Sequence, residues 1–169
     1  KYGKVASEIM DKLVKKIDIA IGNEEDFQRS LGIKTDVDVK SGNLQIEKYK
    51  ELTDRVLKLY PNLQKVAITL RESHSANYNG WSVVLNNRNN FYISKKYNIY
   101  NIVDRVGSGD SFSAGLIYGF NNFSNDKDAL EFAVASSCLK HSIPGDLPLL
   151  SLKEVEELMR GDSSGRIKR

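Results

Sequence analysis

The sequence predicts an α/β fold: a mainly parallel sheet flanked by helices on both faces, with an antiparallel hairpin at one edge. Three observations predict it. The first seventy residues read as helix, strand, helix, helix, strand, and strands separated by helices pair in parallel. The second strand, Val66-Ala67-Ile68-Thr69-Leu70, is a nearly continuous apolar run, which suits a strand covered on both faces. Residues 75–101 instead mix aromatic and β-branched residues with Asn-Gly and Asn-Asn pairs, the pattern of hairpins.

Val5, Ile9, Leu13 and Val14 recur at helical spacing opposite Lys12, Lys15 and Lys16, so the chain opens on an amphipathic helix ending near Lys16. Ile17-Asp18-Ile19-Ala20-Ile21 is a short strand, which Gly22-Asn23 should break. Glu24, Glu25 and Asp26 stand where acids favour a first helical turn, and Gly32 should end that helix. Tyr49, Leu52, Val56 and Leu59 mark a helix over 46–59, stopped by Pro61. Strands then run between turns at Asn79-Gly80 and Asn86-Asn87. Apolar helices cover Ser111 to Phe120 and Ala129 to Leu139, and a short one covers Leu152 to Met159. The tail from Asp162 to Arg169 reads as an unanchored extension.

Composition narrows the function classes. Hydrophobic residues make up 40% of 169 and charged residues 28%, a globular balance. No apolar run approaches the ~20 residues that span a bilayer. A net charge of +3 is too small and too dispersed for a dedicated nucleic-acid binder, and Arg166, Lys168 and Arg169 do not change that. One cysteine, Cys138, allows no internal disulfide and suits a reducing compartment such as the cytoplasm. Its apolar neighbours mark it as a packed thiol. His74 and His141 lie far apart with no cysteine near either, which argues against zinc.

The stretch that carries chemistry is Asp104-Arg105-Val106-Gly107-Ser108-Gly109-Asp110-Ser111-Phe112. Glycines just before a helix let a ligand approach the main chain. The first amides of that helix lack internal partners and its dipole is positive there, so the pair of features forms an anion site. An ionised Asp110 beside a phosphate would repel it, unless the carboxylate serves a hydroxyl that must lose a proton as it attacks phosphorus. Gly-Ser-Gly-Asp alone reads more simply as a helix cap and tight turn. Neither a Walker A loop nor a Gly-x-Gly-x-x-Gly fingerprint is present.

With its flanks, the stretch resembles the C-terminal signature of the PfkB (ribokinase-like) family of carbohydrate kinases, continued by Ser113-Ala114-Gly115-Leu116. Gly115 and Gly119, four apart, should let this helix pack closely on a neighbour. Within the family the chain is most similar to the 2-keto-3-deoxygluconate kinases. Arg105-Val106 in the signature, Thr69-Leu70-Arg71-Glu72, and the segment from Lys140 to Asp146 carry that likeness. The resemblance implies a ribokinase-like fold, transfer of the ATP γ-phosphoryl group to a hydroxyl of that sugar acid, and Mg²⁺, with a monovalent cation as an optional addition. Other acceptors in the family, such as fructose, ribose or a nucleoside, and a non-catalytic nucleotide-binding fragment are the alternatives.

The resemblance also implies site residues. Asp110 is the proton acceptor and, with Arg105, meets the substrate. Gly107, Ser108 and Gly109 form the anion hole. Thr69 and Arg71 join them around the ATP phosphates, although Arg71 replaces a glycine and reads equally as a solvated loop residue. Asn23 and Asp26 fall on a motif linked to magnesium through water, with Asp where the family has Glu, and an acidic first turn explains them as well. The adenine pocket should involve Tyr97 to Ile102 and Ala133 to Ser137. Only the later part of the family pattern is present, and the chain opens on Lys1. The expectation is therefore residues 1–169 as the C-terminal, nucleotide-binding part of a longer kinase, which as a whole forms homo-oligomers in many members. The substrate and lid part would lie outside it.

Overall fold

The computed structural model describes residues 3–33 and 46–161. Eleven elements appear there: α1 (Ala6–Val14), β1 (Ile19–Asn23), α2 (Glu24–Leu31), α3 (Ile46–Leu59), β2 (Lys65–Ser75), β3 (Tyr78–Asn86), β4 (Phe91–Ile93), β5 (Tyr97–Tyr100), α4 (Ser108–Asn122), α5 (Asp126–Lys140) and α6 (Leu152–Arg160). The strands form one sheet in the order β1-β2-β3-β4, with β5 paired to β3. β1 and β2 are parallel and β3 and β5 antiparallel, as the sequence predicts. The tail 162–169 lies outside the described residues.

Two compact units divide the chain. The first takes in the described residues up to Leu70 together with Val84–Tyr92, the second Arg71–Val83 and the described residues from Ile93. β2 and β3 run through both.

The first unit is built on the parallel pair β1–β2. Ala20, Val66, Ile68 and Leu70 are buried with Leu52, Val56, Leu57 and Leu63 in one apolar cluster. α3 contributes to it because its apolar residues recur on one face. Gly32 ends α2 in the left-handed conformation, φ 67°, where a residue with a Cβ is disfavoured. Beyond α3, Arg88 spans its end. Its Nε donates to the Leu63 carbonyl at 2.7 Å, and Nη2 reaches the carbonyls of Leu57, Tyr60 and Pro61 at 3.0, 3.2 and 3.1 Å. The Leu57 carbonyl is one that a helix end leaves unpaired, and the other three belong to the turn that follows.

The second unit rests on two helices. α5 is buried from Ala129 through Lys140, and α4 lies against it through small residues. A Cβ on Gly115 would stand 3.0 Å from the Ala133 Cα, and one on Gly119 would stand 2.7 Å from the Ala129 Cα. The expected close packing of Gly115 and Gly119 is therefore present.

Two turn expectations fail. Gly22 and Asn23 do not break β1; the strand runs through Asn23, whose extended backbone passes straight into α2 as its N-cap. Asn79-Gly80 is not a turn either. Both residues lie in β3, opposite Ile99 and Asn98, and the turn falls at Ala76-Asn77 instead. Burial and cross-strand pairing outweigh the local turn preference of Asn-Gly.

Replacing Arg88 with Ala should cost about 2 kcal/mol, because several carbonyls at the α3 end lose a charged donor at once. Thermal unfolding measures it. An unchanged melting temperature would mean that the guanidinium contributes nothing to this helix end.

Candidate active site

The signature folds as the start of α4. Gly107 is its N-cap, with φ 79° and ψ 0°. This left-handed turn needs glycine for a second reason: a Cβ there would lie 2.1 Å from the Asp146 carbonyl oxygen. The Gly107 carbonyl accepts from the Ser111 amide at 2.8 Å, closing the first helical turn. Ser108, Gly109 and Asp110 form that turn, so Ser108 and Gly109 stand inside the helix rather than before it. The Ser108 amide also turns back to the Arg105 carbonyl at 3.3 Å. A Cβ on Gly109 would meet no atom within 4 Å. The protein itself does not require glycine at 109, whereas a ligand approaching the helix amides would. Asp110 is exposed on the same turn, where the helix dipole favours a negative group.

Asp104 braces this turn from outside. One carboxylate oxygen accepts from the Val106 amide at 3.0 Å and the other from the Gly145 amide at 2.9 Å. These amides, Val106 first, hold its pKa below the ordinary carboxylate value. The bracing is therefore present above the usual carboxylate range and is lost as pH falls through the lowered value. The amides of Val103 and Asp104 donate to the His141 carbonyl at 2.9 and 3.3 Å. From α5, Ser137 Oγ donates to the Ser108 carbonyl at 2.8 Å, and the hydroxyls of Ser136 and Ser111 lie 2.9 Å apart. Sequence reasoning missed Asp104, Ser136 and Ser137 as supports. Two adjacent serines in an otherwise apolar helix were the available signal.

The other expected residues divide between the two units. Arg105 is exposed, and its guanidinium donates to the Ala76 carbonyl. Arg71 is exposed on β2. Both lie in the second unit with the signature. There they act on His141, a buried ring whose Nδ1 lies 2.8 Å from the Ser137 carbonyl. Burial first, then the charges of Lys140, Arg105 and Arg71, hold the His141 pKa below its usual value. The ring sits edge-on to Trp81 at 5.2 Å, a packing role. Of the adenine-pocket stretch, Tyr97 and residues 133–137 are buried, Ser136 being the most accessible of the five at 8%, while Tyr100 and Asn101 are exposed.

Asn23, Asp26 and Thr69 lie in the first unit. The parallel register sets Asn23, the last residue of β1, beside Thr69 in the middle of β2. Asn23 and Asp26 form a capping box: Asp26 N–H donates to Asn23 Oδ1, and Asn23 N–H to Asp26 Oδ2, both at 2.9 Å. Among the described residues no group of three or more His, Cys, Asp or Glu side chains can hold a metal ion. This donor set fits an ion that keeps most of its waters and not one caged by protein. Cys138 is buried, and burial pushes its thiol up to about 12, so it is packing and no nucleophile.

The fold and the helix start define a ribokinase-like α/β protein. The chain belongs to the PfkB family of carbohydrate kinases, whose pattern it matches over residues 3–148. It is similar to the 2-dehydro-3-deoxygluconokinase of Thermotoga maritima, at 42% identity and a TM-score of 0.82 over 92% of this chain and 45% of that one. A 63-residue stretch, 37% of this chain and 20% of the relative, is 32% identical to the 2-dehydro-3-deoxygalactonokinase of Haloferax volcanii. An Arabidopsis thaliana ribokinase complexed with ribose and ATP shares the fold at 21% identity and a TM-score of 0.63, over 90% of this chain and 44% of that one. The chain thus spans less than half the length of these relatives. Among the described residues, no helix is long and apolar enough to cross a membrane.

The two signature glycines should part company on mutation. Gly107→Ala should destabilise by about 2 kcal/mol, since it forces a left-handed alanine and moves the Asp146 loop. Gly109→Ala should be neutral or stabilising by about 0.5 kcal/mol, since alanine favours the helix and meets nothing. Chemical denaturation separates them, and equal losses at both positions would contradict the geometry.

Proposed function

We propose that the protein is a sugar kinase that transfers the γ-phosphoryl group of ATP to a hydroxyl of 2-keto-3-deoxygluconate. The observation that carries this reading is the start of α4, where an exposed Asp110 follows a glycine turn held against the Asp146 carbonyl. The likeness to the Thermotoga maritima 2-dehydro-3-deoxygluconokinase supports the acceptor.

In this reading the Asp110 carboxylate takes the proton of the attacking hydroxyl. The sugar oxygen forms its bond to the γ-phosphorus as the bond to the ADP oxygen breaks. The proton remains on Asp110 until it leaves to solvent. The amides at Gly107 and Gly109 face the charge that builds on the equatorial phosphoryl oxygens, joined by that of Ser108 once it leaves the Arg105 carbonyl, and each such donor is worth roughly 10²–10³ in rate. Thr69 and Arg71 bind the nucleotide phosphates, Arg71 by its own guanidinium donors. Arg105, steadied by the Ala76 carbonyl, offers its remaining N–H groups to the sugar carboxylate. Asn23 and Asp26 would hold Mg²⁺ through water, which supplies charge neutralisation on the phosphates. The lone buried thiol fits a reducing, cytoplasmic setting.

The match to a galactonate-type kinase favours a second acceptor, the epimeric 2-keto-3-deoxygalactonate. Assaying both sugar acids with the full-length protein separates the two. Asp110→Asn should lower kcat by roughly 10²–10⁴-fold with little change in ATP affinity. A variant that turns over at near the parent rate would remove Asp110 from the mechanism. A parent protein that phosphorylates fructose or ribose but neither acid would overturn the substrate.

A further inference from the structure

Lys140 is the last residue of α5, and none of its surface is accessible. A buried ammonium is expensive unless something compensates it, and a methionine of similar length would fill the same space without that cost. Among the described residues Lys140 forms no ion pair. Its Nζ instead donates to the Ile143 carbonyl at 3.0 Å, and the Ile143 amide donates back to the Lys140 carbonyl at 3.0 Å. The C-terminal end of α5 adds partial negative charge around it.

The closed turn matters because of the segment it leads into. Two residues beyond Ile143, the Gly145 amide meets the Asp104 carboxylate, and the next carbonyl, that of Asp146, stands where a Cβ on Gly107 would be. Residues 142 and 144–147 are exposed, so burial does little to fix this segment. The Lys140 charge also favours the ionised form of Asp104, after the larger contributions of the Val106 and Gly145 amides. The chain thus carries its own fixed cation at the root of the loop that braces the signature turn.

We propose that Lys140 is a positioning residue: its buried ammonium, anchored on the Ile143 carbonyl, holds the loop of residues 141–146 in the conformation that locks Gly107. The ammonium acts through the loop and touches no reacting atom. Only its kinetic consequence rests on the sugar-kinase reading.

Amide hydrogen exchange on the full-length protein tests it without any assay of activity. Lys140→Met should speed exchange at least tenfold in residues 103–109 and 141–147 and leave residues 112–139 unchanged. Lys140→Arg, which keeps the charge, should stay within about threefold of the parent. The proposal is overturned if Lys140→Met leaves both segments within twofold of the parent. It is also overturned if the variant opens residues 112–139 equally, or if Met and Arg behave alike. In the kinase assay Lys140→Met should lower kcat at least tenfold with the sugar KM within threefold. A parent without any kinase activity would count against the sugar-kinase reading, while the exchange result would still decide the role of Lys140.

Discussion

The second unit depends on one close approach. The Gly107 backbone, turned left-handed, stands where any side chain would strike the Asp146 carbonyl. That contact sets where α4 begins, and where α4 begins decides which amides lie at its open end. It also sets Asp110 on the same turn as those amides, exposed and near the positive end of the helix. A carboxylate beside open helix amides is the arrangement that the proposed proton removal next to a phosphoryl group needs.

The close approach is held from several directions. Asp104 reaches across forty-one residues to the Gly145 amide, and Ser137 reaches from α5 to the Ser108 carbonyl. α4 in turn rests on α5 through Gly115 and Gly119, where the absence of side chains lets the backbones approach. A buried helix with no polar face is a rigid platform, since its residues have neither solvent nor space to move into. The signature loop is exposed, as is the Gly145–Asp146 segment against it, but the supports from α5 are buried.

Much of this was legible in the sequence. α3 has the bounds that its apolar spacing and Pro61 require, and Gly32 ends α2 as its conformational freedom suggests. The parallel pairing of β1 with β2 followed from the helices between them. The errors share one cause. Asn79-Gly80 and Gly22-Asn23 are turn pairs by local preference, yet both lie in strands because pairing with a neighbouring strand outweighs a weak local signal, with burial added at Asn79-Gly80. The site was legible as a motif but not as a mechanism of support. Gly107 and Gly109 look equivalent in sequence, and only the position of Asp146 tells them apart. The burial of Lys140 was not legible either, since it depends on the turn that its ammonium makes with Ile143.

If the first turn of α4 receives the phosphoryl group, its amides must respond when nucleotide binds. Amide chemical shifts of the full-length protein, recorded while Mg-ATP is added, test this most directly. Saturating shifts are expected at Gly109 and Asp110, among the largest in the spectrum. Saturable ATP binding that leaves both amides unmoved would contradict it.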